Sequence, residues 1–267
     1  MNNTFQGHQA RKRFGQNFLH DGAVIQQIID AIYPQPGQNM VEIGPGRGAL
    51  TAEILPAVDH MHLIELDRDL IPGLKMLNLN QDKMTIHQAD ALKFDFTRLS
   101  NPESGRLRVV GNLPYNISTP LLFHLFDSID SIEDMHFMLQ KEVVQRMSAV
   151  PGNKRWGRLS VMVQYHCQVE MLFIVGSGAF KPAPKVESAI VRLIPHAKKP
   201  AIAINHETLD KVVISAFGQR RKTLRNSLSK VISEADLVSL EIDASLRAER
   251  LSVEDFVTIA NFIDGGG

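Results

Sequence analysis

Apolar positions along the chain alternate between two spacings. Residues 24–33 (VIQQIIDAIY) repeat them at the helical interval and stop ahead of Pro34 and Pro36. Residues 40–43 instead form a short, mainly apolar run closed by Gly44, as a buried strand would. The same alternation predicts helices over 49–57, 68–77, 121–126 and 158–166, the second despite Pro72 and Gly73. Further strands are predicted over 60–66, 84–87, 107–110, 135–139, 169–175 and 188–194. Strands alternating with helices imply an α/β fold with a parallel sheet covered on both faces, its last two strands pairing as a hairpin.

The texture changes after Pro195. Residues 196–200 (HAKKP) read as a linker. From Glu207 onward only helical patterning remains, over 208–217, 220–231, 234–240 and 253–263. The expected organisation is therefore an α/β domain over 1–195 and a small all-helical domain over 201–267. No internal repeat is present, and the final Asp264-Gly-Gly-Gly reads as a frayed end.

Composition narrows the class. The 267 residues are 44% apolar, with 18 glycines besides, the level of an ordinary globular protein able to bury a large core. Cys167 is the single cysteine. That excludes an internal disulfide framework and a cysteine-rich zinc site, fits a reducing compartment, and leaves no metal site expected. No apolar run approaches the roughly 18 residues of a membrane span. Arg11, Lys12 and Arg13 are followed by no apolar stretch, so they do not open a secretory signal. The absence of acids in residues 1–20 leaves a transit peptide open on composition.

Lys+Arg and Asp+Glu both number 29, so a simple polycation or an acidic tail is excluded. The zero sum hides an asymmetry. Residues 21–140 carry net −8 and 231–267 net −6, whereas 141–200 carry +7 and 211–230 carry +6 with no acid at all. Such segregation points to a polyanion, nucleic acid first, although solvated helix faces produce it too.

Two constellations carry chemistry. Val41-Glu42-Ile43-Gly44-Pro45-Gly46-Arg47-Gly48 is a strand running into a glycine turn and a helix, where backbone must approach a ligand and adopt positive φ. Its G-x-G-x-G spacing departs from the G-x-G-x-x-G of a pyrophosphate cradle, which disfavours a nicotinamide oxidoreductase. Glu65 ends the second strand, placed to accept two ribose hydroxyls, and Asp90 follows the third, within reach of an adenine amino group. Together they suggest an adenosine ligand without a pyrophosphate, which S-adenosylmethionine fits.

Gly111-Asn112-Leu113-Pro114-Tyr115 follows the fourth strand and should face the same crevice. An adenine amino group is a poor nucleophile, its lone pair delocalised into the ring. The Asn112 side-chain carbonyl and the Leu113 backbone carbonyl can accept its protons, in bonds that strengthen as positive charge builds on nitrogen. Pro114 holds Leu113 extended, and the Tyr115 ring can stack on the base. Taken alone, the run also suits an ordinary turn. Phe180, in a stiff Pro-rich loop, reads equally as a second stacking ring for an extruded base or as a plug at the end of the core.

FGQNFL (14–19), EIGPGRGALT (42–51), IELDRDL (64–70), GNLPYNISTPL (111–121), MLQKEVVQR (138–146), FKPAPKV (180–186) and AFGQRRKTLRNSL (216–228) occur in this order. They closely resemble the blocks of the small-subunit ribosomal RNA adenine dimethyltransferases of the KsgA/RsmA type, from about Gly7 to about Phe262. The resemblance implies a Rossmann-like S-adenosylmethionine-dependent methyltransferase domain and a helical RNA-binding domain. It implies two methyl groups on N6 of each of two adjacent adenosines near the 3′ end of 16S rRNA. Asn17, Leu19, Gly44, Gly46, Glu65, Asp90 and Asn112 would hold the cofactor; Asn112, Leu113, Pro114, Tyr115 and Phe180 would shape the target pocket. Arg11, Lys12, Arg13, residues 154–158, Arg220, Arg221, Lys222 and Arg225 would track RNA phosphates, with Arg220, Arg221 and Arg225 on one side of a helix. The implied partner is the small ribosomal subunit or its precursor, the implied state a cytoplasmic monomer. An assembly factor whose binding role outweighs catalysis and a large-subunit rRNA methylase of the macrolide-resistance type are the competing readings.

Overall fold

The computed structural model describes residues 16–78, 82–100 and 105–265. They divide into two compact units, Met1–Val144 with Glu170–Pro195, and Gln145–Val169 with His196–Gly267. The second unit takes up the chain again at His196. Residues 145–169, expected in the α/β domain, group with the helical unit.

In the first unit, β1 (Phe18–Leu19) precedes α1 (Gly22–Ile32), whose N-cap Asp21 accepts from Ala23 and Val24 N–H. Then follow β2 (Asn39–Ile43), α2 (Thr51–Ile54), β3 (Met61–Glu65), α3 (Ile71–Met76), β4 (Met84–Gln88), β5 (Leu107–Asn112), α4 (Ser118–Phe126) and β6 (Ile132–Gln140). α5 (Lys141–Met147) runs into the stretch that groups with the second unit, α6 (Arg158–His166) lies within that stretch, and β7 (Cys167–Val175), β8 (Phe180–Lys181) and β9 (Ser188–Pro195) return to the α/β part. The expectation of helix over 68–77 shrinks to α3, which carries Pro72 in its first turn, where a missing N–H costs nothing. α5 had no counterpart in the periodicity, since its buried face rests on Val144 and Met147 alone.

The sheet runs β4-β3-β2-β5-β6-β9-β7. Its first five strands are parallel, but β9 enters antiparallel to β6, so the sheet is mixed rather than wholly parallel. β7 and β9, expected as a hairpin, are sheet neighbours, and β8 lies between them in the chain. β8 pairs instead with β1 in a two-stranded ladder, Phe18 opposite Lys181 and Leu19 opposite Phe180. β2 is buried along its whole length, which is why it reads as a mainly apolar run.

One polar pair interrupts that pattern. Arg108 of β5 and Asp134 of β6 are register partners, joined by two bonds of 2.9 Å. The guanidinium also donates to the Ile32 carbonyl at 2.8 Å and to Gln38 Oε1 at 2.7 Å, tying the end of α1 to the sheet. Removing one partner from a pair this buried costs about 3–5 kcal/mol, because the other charge is left uncompensated.

The strand order reverses between β2 and β5. The crevice for a ligand lies there, outside the carboxyl ends of those strands.

In the helical unit, α7 (His206–Gly218), α8 (Leu224–Ser227), α9 (Glu234–Ser239) and α10 (Val253–Asp264) replace the four expected helices. α7 packs on α10, with Phe217 and Phe256 rings 5.6 Å apart. Asn205 caps α7, and Ser252 with Asp255 forms a capping box on α10. The expected helix over 220–231 is absent apart from the single turn of α8. The N–H groups of Leu224 and Arg225 are taken by the carbonyls of Leu246 and Ala244, so the helical ladder cannot run through them.

Candidate active site

A cleft of about 290 Å³ opens at the carboxyl ends of β2, β3 and β5. The glycine loop is its floor. Gly44 and Gly46 adopt φ of +65° and +59°, and a Cβ on Gly46 would come within 3.2 Å of the Phe18 ring. Glycine is required there twice over, by conformation and by close approach. Gly46 N–H donates to Glu65 Oε2 at 3.2 Å, and Asp67 N–H to Glu65 Oε1 at 2.7 Å. The carboxylate is thereby fixed by backbone donors, with acceptor capacity remaining for ribose hydroxyls. Burial pushes the Glu65 pKa up, against the pull of those N–H groups.

Glu42 deepens the acidic character. It is buried at the end of β2, accepts from Thr51 Oγ1 at 2.6 Å, lines the cleft, and is pushed up to about 7, by burial first and then by the Glu65 charge. Asp90 lines the far end, one oxygen held by Leu92 N–H at 3.0 Å.

The opposite wall is the loop after β5. Asn112 Nδ2 donates to the Asn17 carbonyl at 2.9 Å. A backbone carbonyl only accepts, so the nitrogen must face it, and Oδ1 is left as the acceptor of the amide. Leu113 N–H donates to the Met138 carbonyl, which extends the β5–β6 ladder one residue into the loop. Ile117 N–H closes a turn on the Pro114 carbonyl at 3.1 Å. The Tyr115 hydroxyl shares a 2.7 Å bond with buried Ser188, which fixes the ring; burial raises the phenol pKa. Gly111 is needed for packing, since a Cβ there would lie 2.6 Å from the Ile43 carbonyl oxygen.

Asn17, Leu19, Gly44, Gly46, Glu65, Asp90, Asn112, Leu113, Pro114 and Tyr115 thus share one cleft. Phe180 is not among the residues that line it; it is 3% exposed and packs in the apolar cluster with Leu19, Val175 and Ile190. Side chains brought to the cleft without having been singled out include Gln16, Phe18, Glu42, Arg47, Leu66 and Asp67. A carboxylate inside an otherwise apolar strand was the signal for Glu42. Leu66, 50% exposed between two buried acids, was the signal for an apolar contact surface.

Arg11, Lys12 and Arg13 lie outside the described residues. Arg220 and Arg221 fall in a turn and Arg225 in α8, so they do not share one helix face. Arg220, Arg221 and Lys222 are all exposed, and Arg220 in addition donates to the carbonyls of Lys154 at 2.7 Å and Trp156 at 3.1 Å. Among the described residues, no cluster of His, Cys, Asp or Glu could hold a metal ion, and no helix is long and apolar enough to cross a membrane.

The groups present suit S-adenosylmethionine: fixed carboxylates for hydroxyls, a glycine floor without side chains, an exposed leucine for an adenine face, and acids for a cationic ligand. Comparison with known proteins agrees. The family described as ribosomal RNA adenine dimethylase matches residues 7–265. A ribosomal RNA small subunit methyltransferase A of Aeromonas hydrophila is 57% identical over 262 residues, 98% of this chain and 97% of that protein. The solved dimethyladenosine transferase of Plasmodium falciparum superposes with a TM-score of 0.80 at 26% identity, over 93% of this chain and 98% of that one. The solved 23S rRNA methyltransferase ErmE gives 0.71 at 25% identity, over 93% of this chain and all of that one. The chain belongs to the ribosomal RNA adenine dimethylase family, S-adenosylmethionine-dependent methyltransferases built on this sheet.

Proposed function

We propose that this protein dimethylates N6 of two adjacent adenosines in the 3′-terminal hairpin loop of 16S rRNA, on a late assembly particle of the small subunit. The observation that carries the reading is the Asn112 amide, turned by the Asn17 carbonyl so that its oxygen is the acceptor, in the cleft of the glycine loop and Glu65. The cofactor supplies an electrophilic methyl group on a sulfonium.

The chain's own residues then have three tasks. Glu65 and Asp90 bind the adenosine part of the donor. Asn112 Oδ1 and the Leu113 carbonyl accept the protons of the target amino group, and these bonds strengthen as its nitrogen turns cationic. Tyr115, its hydroxyl anchored on Ser188, offers its ring to the base. No side chain need remove a proton before transfer, because the cationic product loses one readily.

The helical unit is proposed to bind RNA, with Lys154, Arg155, Arg221, Lys222 and Arg225 as exposed phosphate contacts. The setting is the cytoplasm, and the acting form a monomer.

Labelled S-adenosylmethionine is incubated with unmethylated small subunits and, separately, with large subunits, and modified nucleosides are mapped by mass spectrometry. Dimethyladenosine at two neighbouring positions of the small-subunit RNA is expected. Label confined to the large subunit would transfer the reading to the 23S enzymes; none on either would leave a binding role in assembly.

A further inference from the structure

Residues 16–20 tie together more of the cleft than their length suggests. Gln16 Nε2 donates to Asp67 Oδ2 at 3.1 Å, the Asn17 carbonyl accepts from Asn112, Leu19 pairs with Phe180, and His20 N–H donates to the Ala179 carbonyl at 3.0 Å. The remaining residue, Phe18, meets the glycine loop. Its ring centroid lies 4.6 Å from the Arg47 guanidinium carbon. Its edge occupies the space that a Cβ on Gly46 would need. Phe18, Gly46 and Arg47 all line the cleft.

We propose that Phe18 and Arg47 form a latch that couples loading of the cofactor to the placement of the Asn112 amide. This rests on the methyltransferase reading above. Asn112 is oriented by the backbone of residue 17 and not by a side chain, so its amide follows wherever that segment is held. The ties through Gln16, Leu19 and His20 run to the loop after β3, to β8 and to the turn before β8. Phe18 joins the segment directly to the glycine loop. A ligand seated on the loop orders Gly46 and Arg47, these grip the Phe18 ring, and the adjoining Asn17 carbonyl is fixed against the amide. Phe18 and Arg47 are positioning residues: they act on the amino group of the target only through Asn112.

The test uses the full chain and three readouts. Calorimetry gives the affinity for S-adenosylhomocysteine, which needs no RNA. Nitrogen-15 NMR gives the exchange protection of the Asn112 side-chain amide protons with and without that ligand. Single-turnover methyl transfer to unmethylated small subunits is measured at saturating donor. Arg47→Met keeps the length of the side chain and removes its charge. It should weaken S-adenosylhomocysteine by about 5- to 30-fold, the size of a partly desolvated cation–π contact. It should also abolish the ligand-induced protection at Asn112 and slow turnover by a similar factor. Arg47→Lys should restore most of each. In an Asn112→Ala background, Arg47→Met should still weaken the ligand but slow turnover no further. Equal slowing in both backgrounds, or protection at Asn112 that survives Arg47→Met, overturns the latch. Phe18→Leu must repeat the result, which guards against misfolding of one variant. A wild-type protein that binds the ligand but methylates no RNA defeats the functional reading, while affinity and amide protection still decide the latch.

Discussion

Glu42→Gln should stabilise the first unit, and by an amount that depends on pH in one direction only. The carboxyl is buried, with an ordinary value of 4.5 and a folded value of about 7. Its folded value is raised, so the folded state holds the proton more tightly than the unfolded chain. The favourable contribution is complete below pH 4.5 and is lost as pH rises through 7. At about 1.4 kcal/mol for each pH unit between those values, keeping an ionised Glu42 in place costs on the order of 3 kcal/mol above pH 7. Glutamine is never charged and its oxygen can still accept from Thr51. The difference between variant and wild type should therefore be near zero at pH 4.5, rise through the window, and level off above 7. Urea denaturation followed by circular dichroism measures it. Fluorescence would not, because the single tryptophan, Trp156, belongs to the helical unit. Two stability curves that run parallel from pH 4.5 to 8 would refute the argument, since they would mean that Glu42 ionises without a burial penalty.

Asn112→Ala should retain most of the affinity for S-adenosylhomocysteine while slowing single-turnover transfer by about 10- to 100-fold, the loss of one hydrogen bond to a developing charge; unchanged turnover removes Asn112 from the reaction. Gly111→Ala forces a Cβ to within 2.6 Å of a backbone oxygen and should cost about 1–3 kcal/mol in urea denaturation, since backbone on both sides must move. Arg220→Ala frees the Lys154 and Trp156 carbonyls and should speed tryptic cleavage after Lys154 and Arg155. Arg221→Ala should leave that cleavage rate unchanged but reduce the salt slope of RNA binding by about one; with six phosphate contacts the wild-type log–log slope is near −5, and a flat response means the basic segments face only water.

The parts of this molecule legible in its sequence are those whose cause is local. β2 is buried on both faces and shows as an apolar run; the glycine loop needs positive φ at fixed positions and shows as glycines. The acids ending β3 and following β4 fell where an α/β crevice requires them. What was hidden has its cause far along the chain. β9 lies antiparallel beside β6 because of pairing that no window of periodicity contains, and Arg108 sits inside a strand because Asp134 waits in the next one. β1 is two residues long, too short for any period, and exists through its ladder with Phe180. Phe180, paired with Leu19 in that ladder, is buried. Arg220 shows the limit most plainly. By count it belongs to an acid-free basic segment and reads as a phosphate contact. A guanidinium, however, can satisfy itself on any nearby carbonyls, and those it uses lie up to 66 residues earlier in the chain. Segment charge thus shows which stretch is basic, but how each cation in it is held is decided by the tertiary partners that reach it.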